Sequence, residues 1–286
     1  MFYRSLLMKS SAFLAELVGT FLLVFFGCGA VHAAVLMGAQ SGLWQVAIVW
    51  GLVIAITVFA LGRFSGAHLN PAVSIALAVW GKFPVQQVGA YILAQLLGAF
   101  LAAAALFQMY SPFLALEEKA LGVERGKPGS ELTAMCYGEY YPAPGRMKAL
   151  ISADKKNLSQ VHQEHFSLFG MGSAFFAEVL GTAILALVIF ALTDSKNTSD
   201  GVKAMAPVLI GLTVAILISV IAPLTQACFN PARDLGPRLF AWIAGWGSVA
   251  IPGPNGIGFL TVYIIAPIVG AIAGGGIYQK VFAANE

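Results

Sequence analysis

The chain has 286 residues, of which 59% are hydrophobic and 10% charged, and its mean hydropathy is +0.83. A soluble domain is nearer a quarter charged, so this composition excludes a soluble fold and predicts an integral membrane protein. The net charge of +3 is too small to indicate a nucleic-acid partner. Two of the three cysteines fall in apolar segments, which argues against a disulfide framework, and we expect neither a metal nor a cofactor.

Six stretches of the sequence are long and apolar enough to cross a membrane, which takes about 20 helical residues. In chain order they are 11–36, 43–62, 84–109, 171–193, 204–222 and 258–279. Two shorter apolar segments, near 71–80 and 231–244, each follow an Asn-Pro-Ala triplet, and neither is long enough to cross alone. The sequence therefore predicts an all-α fold with six transmembrane helices and two half-length helices.

One long hydrophilic segment separates the third and fourth stretches. Fourteen of the 29 acidic and basic residues fall between Glu117 and Glu164. The predicted topology places the positive residues of the termini and short connections on the side of the membrane opposite the long segment. They are Arg4, Lys9, Arg63, Lys82, Lys196, Lys203 and Lys280. By the positive-inside tendency we expect a multi-pass protein of the inner (plasma) membrane, with both termini cytoplasmic and the long loop outside.

Three blocks of the first half recur in the second half in the same order. They are "AELVGT" (15–20) and "AEVLGT" (177–182), "WGLVIAI" (50–56) and "IGLTVAI" (210–216), and "YILAQLLGA" (91–99) and "YIIAPIVGA" (263–271). Because each half holds three spans, the second half must enter the membrane from the opposite side, which makes the repeat inverted. We predict one domain over 1–286, with a first repeat at 11–110, a long extracytoplasmic loop at 111–167 and a second repeat at 168–282.

The two Asn-Pro-Ala triplets predict helix starts, because asparagine is a favoured N-cap and proline a favoured first helical residue. They are formed by Asn70, Pro71 and Ala72 and by Asn230, Pro231 and Ala232. A helix of about 10 residues spans about half of the hydrocarbon layer. The backbone before each triplet, 62–69 or 222–229, is expected to be non-helical at membrane depth, which is tolerated only inside protein or beside a water-filled cavity.

Inversion sends one half-helix in from each side, so their positive N-terminal ends meet near the middle of the membrane. Asn70 and Asn230 can offer N–H donors to a passing oxygen there. The preceding loops can offer carbonyl acceptors, from residues that include Gly66, Ala67, His68, Gln226 and Cys228. These donors and acceptors would form a narrow path of alternating hydrogen-bond partners, here called the track. It suits a small neutral hydroxylated solute and opposes cations, including protons.

Several charged residues in apolar surroundings are expected to serve this track. An intramembrane arginine is costly, and Arg233 has five donors with which to bind solute oxygens and repel cations. Glu16 and Glu178 occupy matching positions in the two halves, and we expect each to orient the carbonyl loop of its own half, since buried carboxylates need donors. Asp234 and Arg238 are expected at the start of the half-helix and at the surface.

Two further sets of residues are expected to have supporting roles. The ring of His68 is expected to pack behind the track while its carbonyl faces it. Glycines within the spans mark close helix packing, and they are Gly19, Gly98, Gly181 and Gly270.

These motifs resemble the major intrinsic protein family of aquaporins and glycerol facilitators, over the whole chain except about 112–166. The resemblance implies an aquaporin-like bundle of six transmembrane helices and two re-entrant half-helices in an inverted 3+3 repeat. It also implies a homotetramer in the lipid bilayer with one pore per subunit. "NPARDLGPR" resembles the glycerol-conducting branch of the family, whose markers here are Asp234, Arg238 and Pro267.

The resemblance further implies a selectivity filter built from four positions, which in this chain are Trp50, Ile218, Ala227 and Arg233. Trp50 and Arg233 fit a glycerol channel, with an aromatic wall for the carbon backbone and an arginine for the hydroxyls. Glycerol facilitators generally carry a small residue in place of Ile218 and phenylalanine in place of Ala227. In this chain the larger side chain of these two positions is therefore at Ile218, whereas in glycerol facilitators it is generally at the position of Ala227.

The favoured interpretation is a passive channel for glycerol and related small uncharged solutes that also passes water and excludes protons and ions. A water- or gas-conducting pore with an apolar filter is an alternative within the same class. A secondary transporter coupled to protons or sodium is a third, because broken helices in inverted repeats occur there too. No nucleophile–base spacing or metal-ligand cluster is present, so we do not expect an enzyme.

Overall fold

A computed structural model describes residues 2–148 and 158–283. These ranges contain helices and no β-strands. The helices are α1 (Phe2–Met37), α2 (Leu43–Ser65), α3 (Pro71–Val79), α4 (Val85–Leu121), α5 (Glu131–Ala134), α6 (Leu158–Ser167), α7 (Met171–Thr193), α8 (Asp200–Thr225), α9 (Pro231–Ala241) and α10 (Gly258–Phe282). Six of them, namely α1, α2, α4, α7, α8 and α10, are long and apolar enough to cross a membrane.

The predicted all-α membrane fold is confirmed, and the six spans lie where hydropathy places them. Helices α2 and α8 run three residues further than predicted, so the non-helical backbone before each triplet is shorter: it begins at Gly66 in one half and at Gln226 in the other. Helices α3 and α9 begin at Pro71 and Pro231, directly after the asparagines. Two half-length helices therefore lie among six full-length ones.

Helix α4 is longer than the hydropathy pattern predicts. It continues through Pro112 to Leu121, into residues that were expected to belong to the long loop. The extension has tertiary partners: Leu114 is fully buried, and Glu118 pairs with Arg125 through two contacts of 3.0 Å. These contacts stabilise a helical turn that an internal proline would otherwise weaken.

Glycines let the helices approach closely at equivalent places in the two halves. A Cβ atom at Gly98 of α4 would overlap the carbonyl oxygen of Leu17 in α1. In the second half, a Cβ atom at Gly270 of α10 would overlap the carbonyl oxygen of Val179 in α7. The repeats also meet each other through glycine, since Gly51 of α2 lies against its counterpart Gly211 of α8. Backbone-to-backbone packing of this kind is typical of membrane helices.

We expect Gly98→Val to destabilise the protein by about 1–3 kcal/mol or more, because the added side chain must push α4 away from α1. Thermal unfolding of the purified protein in detergent measures the effect. Gly89→Val is the matched control, because it makes the same change on the same helix at an exposed position with no atom within 4 Å of a new Cβ. Equal melting temperatures for the two variants would contradict this account of the packing.

Residues 122–148, here called the cap segment, fold over one face of the helix bundle. Tyr137 and Met147 are fully buried. Trp246, in the turn after α9, donates its indole N–H to the Thr133 hydroxyl at 3.1 Å, and the Arg125 guanidinium lies 4.3 Å from the Trp246 ring centroid. The sequence analysis predicted a long loop at 111–167, and this part of it is packed into the fold. Residues 149–157 of the same loop lie outside the described residues.

Candidate functional site

The short helices begin with asparagine caps in both halves. The side-chain oxygen of Asn70 accepts the backbone N–H of Ala72 at 2.9 Å. The oxygen of Asn230 accepts the N–H groups of Ala232 and Arg233 at 3.0 and 3.3 Å. Each cap thereby satisfies donors that the first turn of a helix leaves without intrahelical partners.

The same asparagines tie the two halves together. The Asn70 amide nitrogen donates to the carbonyl of Phe229 at 2.7 Å, and the Asn230 amide nitrogen donates to the carbonyl of Leu69 at 2.8 Å. The sequence prediction assigned these amides to a passing solute only. An amide nitrogen carries two hydrogens, so one is used for the tie and a second is left on each side chain.

The backbone before each triplet adopts conformations that side chains rarely take. The φ angles of Ala67 and Leu69 are 48° and 56°, and those of Ala227 and Phe229 are 61° and 52°. Left-handed values are uncommon for residues other than glycine and carry strain, so these loops need strong external support. The pattern is the same in both halves.

Buried glutamates supply that support. In the first half, Glu16 accepts the backbone N–H groups of His68 and Leu69, both at 2.8 Å. It also accepts the Ser65 hydroxyl at 2.7 Å and the Gln95 amide at 2.8 Å. The side chain is fully buried, so four donors compensate for the loss of water around the carboxylate.

The second half repeats the arrangement. Glu178 accepts the backbone N–H groups of Cys228 and Phe229 at 3.0 and 2.9 Å and the Thr225 hydroxyl at 2.6 Å. It is also fully buried. The structure therefore places each carboxylate against the loop of its own half.

The side chains of His68 and Cys228 turn toward protein partners. The Nδ1 atom of His68 lies 3.1 Å from the Ser74 hydroxyl, and its ring packs against that of Phe83 with centroids 4.6 Å apart. The Cys228 thiol donates to the carbonyl of Asn230 at 3.2 Å. These contacts leave the backbone of each loop as the part that faces inward.

Two cavities enter the bundle from opposite faces and meet at the asparagines. The loop-side cavity, beneath the cap segment, has a volume of about 750 Å³, and the far-side cavity has about 590 Å³. The residues that line both are Leu23, Ile54, Asn70, Leu185, Val214 and Asn230. Gly66, Ala67 and His68 line the far-side cavity, and Gln226, Ala227 and Cys228 line the loop-side cavity.

The four residues expected to form a filter all line the loop-side cavity, and we call them the four-residue ring: Trp50, Ile218, Ala227 and Arg233. Trp50 lies back against α1, where a Cβ atom at Gly27 would overlap its indole. The Arg233 guanidinium carbon lies 4.7 Å from the Trp50 ring centroid. The ring thus combines one guanidinium and one indole with two aliphatic side chains.

Arg233 is held by the cap segment, which the sequence analysis did not foresee. Its Nε lies 2.7 Å from the carboxylate of Glu139, an ion pair outside hydrogen-bond geometry, and its Nη1 donates to the carbonyl of Tyr137 at 3.1 Å. Burial raises the pKa of the Glu139 carboxyl above its ordinary value, and the neighbouring Arg233 opposes that rise. The only signal in the sequence is one acidic residue within the aromatic stretch "GEYYPAPG".

Asp234 lies in the first turn of α9, as expected, whereas the expectation that Arg238 lies at the surface is wrong. Both are buried, and they pair with each other through contacts of 2.8 Å to Arg238 Nε and Nη2. The Asp234 carboxylate also accepts the backbone N–H of Glu139 at 2.7 Å, while Arg238 donates to the carbonyls of Ala250 and Glu139. Mutual neutralisation and these backbone partners compensate for the burial, and the pair fixes the segment that carries Glu139.

Pro267 and Gln226 complete the set of predicted residues. Pro267 is buried in α10. Gln226 directly follows α8, and its side chain bonds the cap segment by accepting the N–H of Tyr140 at 2.9 Å and donating to the carbonyl of Met135 at 3.2 Å. The cap segment is therefore joined to the loop that precedes the second triplet.

Comparison with known proteins agrees with this architecture. A family profile described as Major intrinsic protein matches residues 4–278. The chain belongs to the major intrinsic protein family. It is 40% identical over 270 residues to a glycerol uptake facilitator protein of Pseudomonas aeruginosa, covering 94% of this chain and 88% of the relative. It is 39% identical over 273 residues to a propanediol uptake facilitator of Salmonella typhimurium, covering 95% and 93%.

A solved structure supports the same assignment. The X-ray structure of the aquaglyceroporin from Plasmodium falciparum matches with a TM-score of 0.76 and 26% sequence identity, and the match covers 97% of this chain and 98% of that one. As a member of the major intrinsic protein family, the chain is a multi-pass membrane channel rather than an enzyme.

Proposed function

We propose that the protein is a passive channel for glycerol and related small uncharged solutes, that it also passes water, and that it excludes protons and ions. One observation carries the proposal. A buried arginine and an aromatic ring face the same cavity, and that cavity joins a second one at Asn70 and Asn230. Relatives that are 39–40% identical along nearly the whole chain are glycerol and propanediol uptake facilitators.

In this mechanism the four-residue ring acts as the selectivity filter. Trp50 packs against the carbon side of the solute while Arg233 donates to its hydroxyls. Deeper in the pore, the spare amide hydrogens of Asn70 and Asn230 and the loop carbonyls exchange hydrogen bonds with the solute as it passes. The positive ends of α3 and α9 and the charge of Arg233 oppose cations.

Glu16 and Glu178 act as scaffolds in this proposal. They hold the strained carbonyl loops through N–H groups at 2.8–3.0 Å. Because both carboxylates are fully buried and directed at these loops, neither is available as an ion-coupling site along the pore. This favours a passive channel over a coupled transporter.

For the setting in the cell, we propose the plasma membrane, with both termini cytoplasmic and the cap segment outside. The distribution of Lys and Arg in the short connections supports this orientation. We also propose that four copies assemble in the lipid bilayer, each with its own pore, as the family resemblance implies.

The test is stopped-flow light scattering on liposomes that contain the purified protein. After a glycerol shock we expect reswelling at least about tenfold faster than in protein-free liposomes, and loss of most of that gain in Arg233→Trp, which blocks the ring. An impermeant osmolyte applied separately reports water flux. Fast shrinkage in that osmolyte without faster reswelling in glycerol would contradict the proposal and favour a water- or gas-conducting pore.

A further inference from the structure

We propose that the four-residue ring prefers small vicinal diols that end in a methyl group over glycerol. This inference rests on the proposed function and specifies its substrate class. It follows from the division of the ring into one place for two neighbouring hydroxyls and one place whose side chains offer no hydrogen bond.

The charged part of the ring is Arg233, and a solute can use only the N–H groups that Arg233 has left to donate. Its Nε faces Glu139 and its Nη1 donates to Tyr137, whereas the described residues give its Nη2 no partner. The residue is only 4% exposed and lines the loop-side cavity, so the free N–H groups are available to whatever occupies that cavity. Adjacent donors on one guanidinium match oxygens on adjacent carbon atoms.

The remaining side chains of the ring favour hydrocarbon. Ile218 and Ala227 have no donor or acceptor, and Val214, one turn before Ile218, extends the apolar wall of the same cavity. A third hydroxyl placed against Ile218 would lose its water and gain no partner from the Ile218 or Ala227 side chain, which is unfavourable. A methyl group in the same place would bury apolar surface, which is favourable.

The position of Ala227 leaves room for such a group. Its backbone is held in the left-handed region at φ 61°, and its N–H is bonded to the Thr225 hydroxyl at 3.2 Å. On the opposite side, Gly27 allows Trp50 to lie back against α1. The small side chain of Ala227 and the indole that lies back against α1 line the same cavity as Ile218, and together they leave space in the ring.

The test compares three solutes on liposomes that contain the full chain: glycerol, 1,2-propanediol and 1,3-propanediol. The two diols have the same atoms, but only the 1,2 isomer has neighbouring hydroxyls and a methyl group. After subtraction of the protein-free rate for each solute, we expect 1,2-propanediol to permeate about fivefold or more faster than glycerol and also faster than its isomer.

Ile218→Thr supplies the missing hydrogen-bond partner on a side chain that is also branched at Cβ but is one carbon shorter. We expect it to bring the ratio of 1,2-propanediol to glycerol flux close to one, mainly by raising glycerol flux. Ile216→Thr is the matched control, since Ile216 lies on the same helix and is 56% exposed on its outer surface, and its ratio should equal that of the wild type.

Each outcome separates this inference from the proposed function. If none of the three solutes crosses faster than in protein-free liposomes, the proposed function fails. If glycerol crosses fast and at least as fast as 1,2-propanediol, the proposed function stands and the preference is overturned. If the ratio of 1,2-propanediol to glycerol flux in Ile218→Thr equalled that of the wild type, Ile218 would not be the residue that disfavours glycerol. The comparison of isomers in the wild type holds even if the variant does not fold.

Discussion

Glu16→Ala is expected to lower the free energy of unfolding by at least about 3 kcal/mol and to abolish solute flux. The change leaves two backbone N–H groups, a hydroxyl and an amide without their acceptor, and a buried unsatisfied donor costs about 1–3 kcal/mol. Because the loop at residues 66–69 includes residues in left-handed conformations, it would relax once its acceptor is gone. Thermal unfolding in detergent and glycerol reswelling in liposomes measure the two effects.

Two further variants sharpen this experiment. Glu16→Gln retains one oxygen and should therefore lie between the wild type and Glu16→Ala in melting temperature. Glu124→Ala removes an exposed carboxylate from the cap segment, and we expect a change of less than about 0.5 kcal/mol. If Glu16→Ala melted at the temperature of Glu124→Ala, the carboxylate could not be the support of the loop.

Glu139→Gln is expected to reduce glycerol flux roughly tenfold while the protein remains folded. The substitution keeps the size of the side chain but removes the charge that lies 2.7 Å from Arg233 Nε. Removing one partner of a buried ion pair costs about 3–5 kcal/mol, and about 1.4 kcal/mol corresponds to a factor of ten. Without it the guanidinium is free to move toward the lumen, where it narrows the ring. Stopped-flow reswelling measures the loss, and size-exclusion chromatography checks the fold.

A matched variant within the cap segment distinguishes charge from general loosening. Glu131 is also buried, but its carboxylate pairs with His162 at 2.9 Å rather than with Arg233. Glu131→Gln should therefore leave glycerol flux within about twofold of the wild type, as expected for a change away from the ring. Equal losses in both variants would mean that the cap segment acts as a whole and that Glu139 has no specific role.

Local chemistry explains how far the sequence could predict this structure. Asparagine followed by proline is a helix start in almost any setting, so the beginnings of α3 and α9 could be placed to the residue. The repeat then implied that the two starts face each other. The sequence could not predict which group each asparagine amide bonds, because the carbonyls of Leu69 and Phe229 become acceptors only once the two halves are assembled.

Residues whose environment is set by distant segments could not be predicted in the same way. Glu139 stands in a polar loop with no periodicity, and its contact with Arg233 depends on how residues 122–148 fold over the bundle. The burial of Arg238 has the same origin, since the carbonyls of Glu139 and Ala250 replace the water that a surface position would provide. The continuation of α4 past Pro112 likewise depends on tertiary partners of Glu118.

The reciprocal asparagine bonds have a consequence for biosynthesis. A ribosome delivers the first half of the chain to the membrane before the second half exists, and the acceptor of the Asn70 amide lies 159 residues further along. The conducting path is therefore closed on both sides only after Phe229 and Asn230 have been inserted. A nascent or truncated chain that ends before them lacks the acceptor of the Asn70 amide and contains no finished pore.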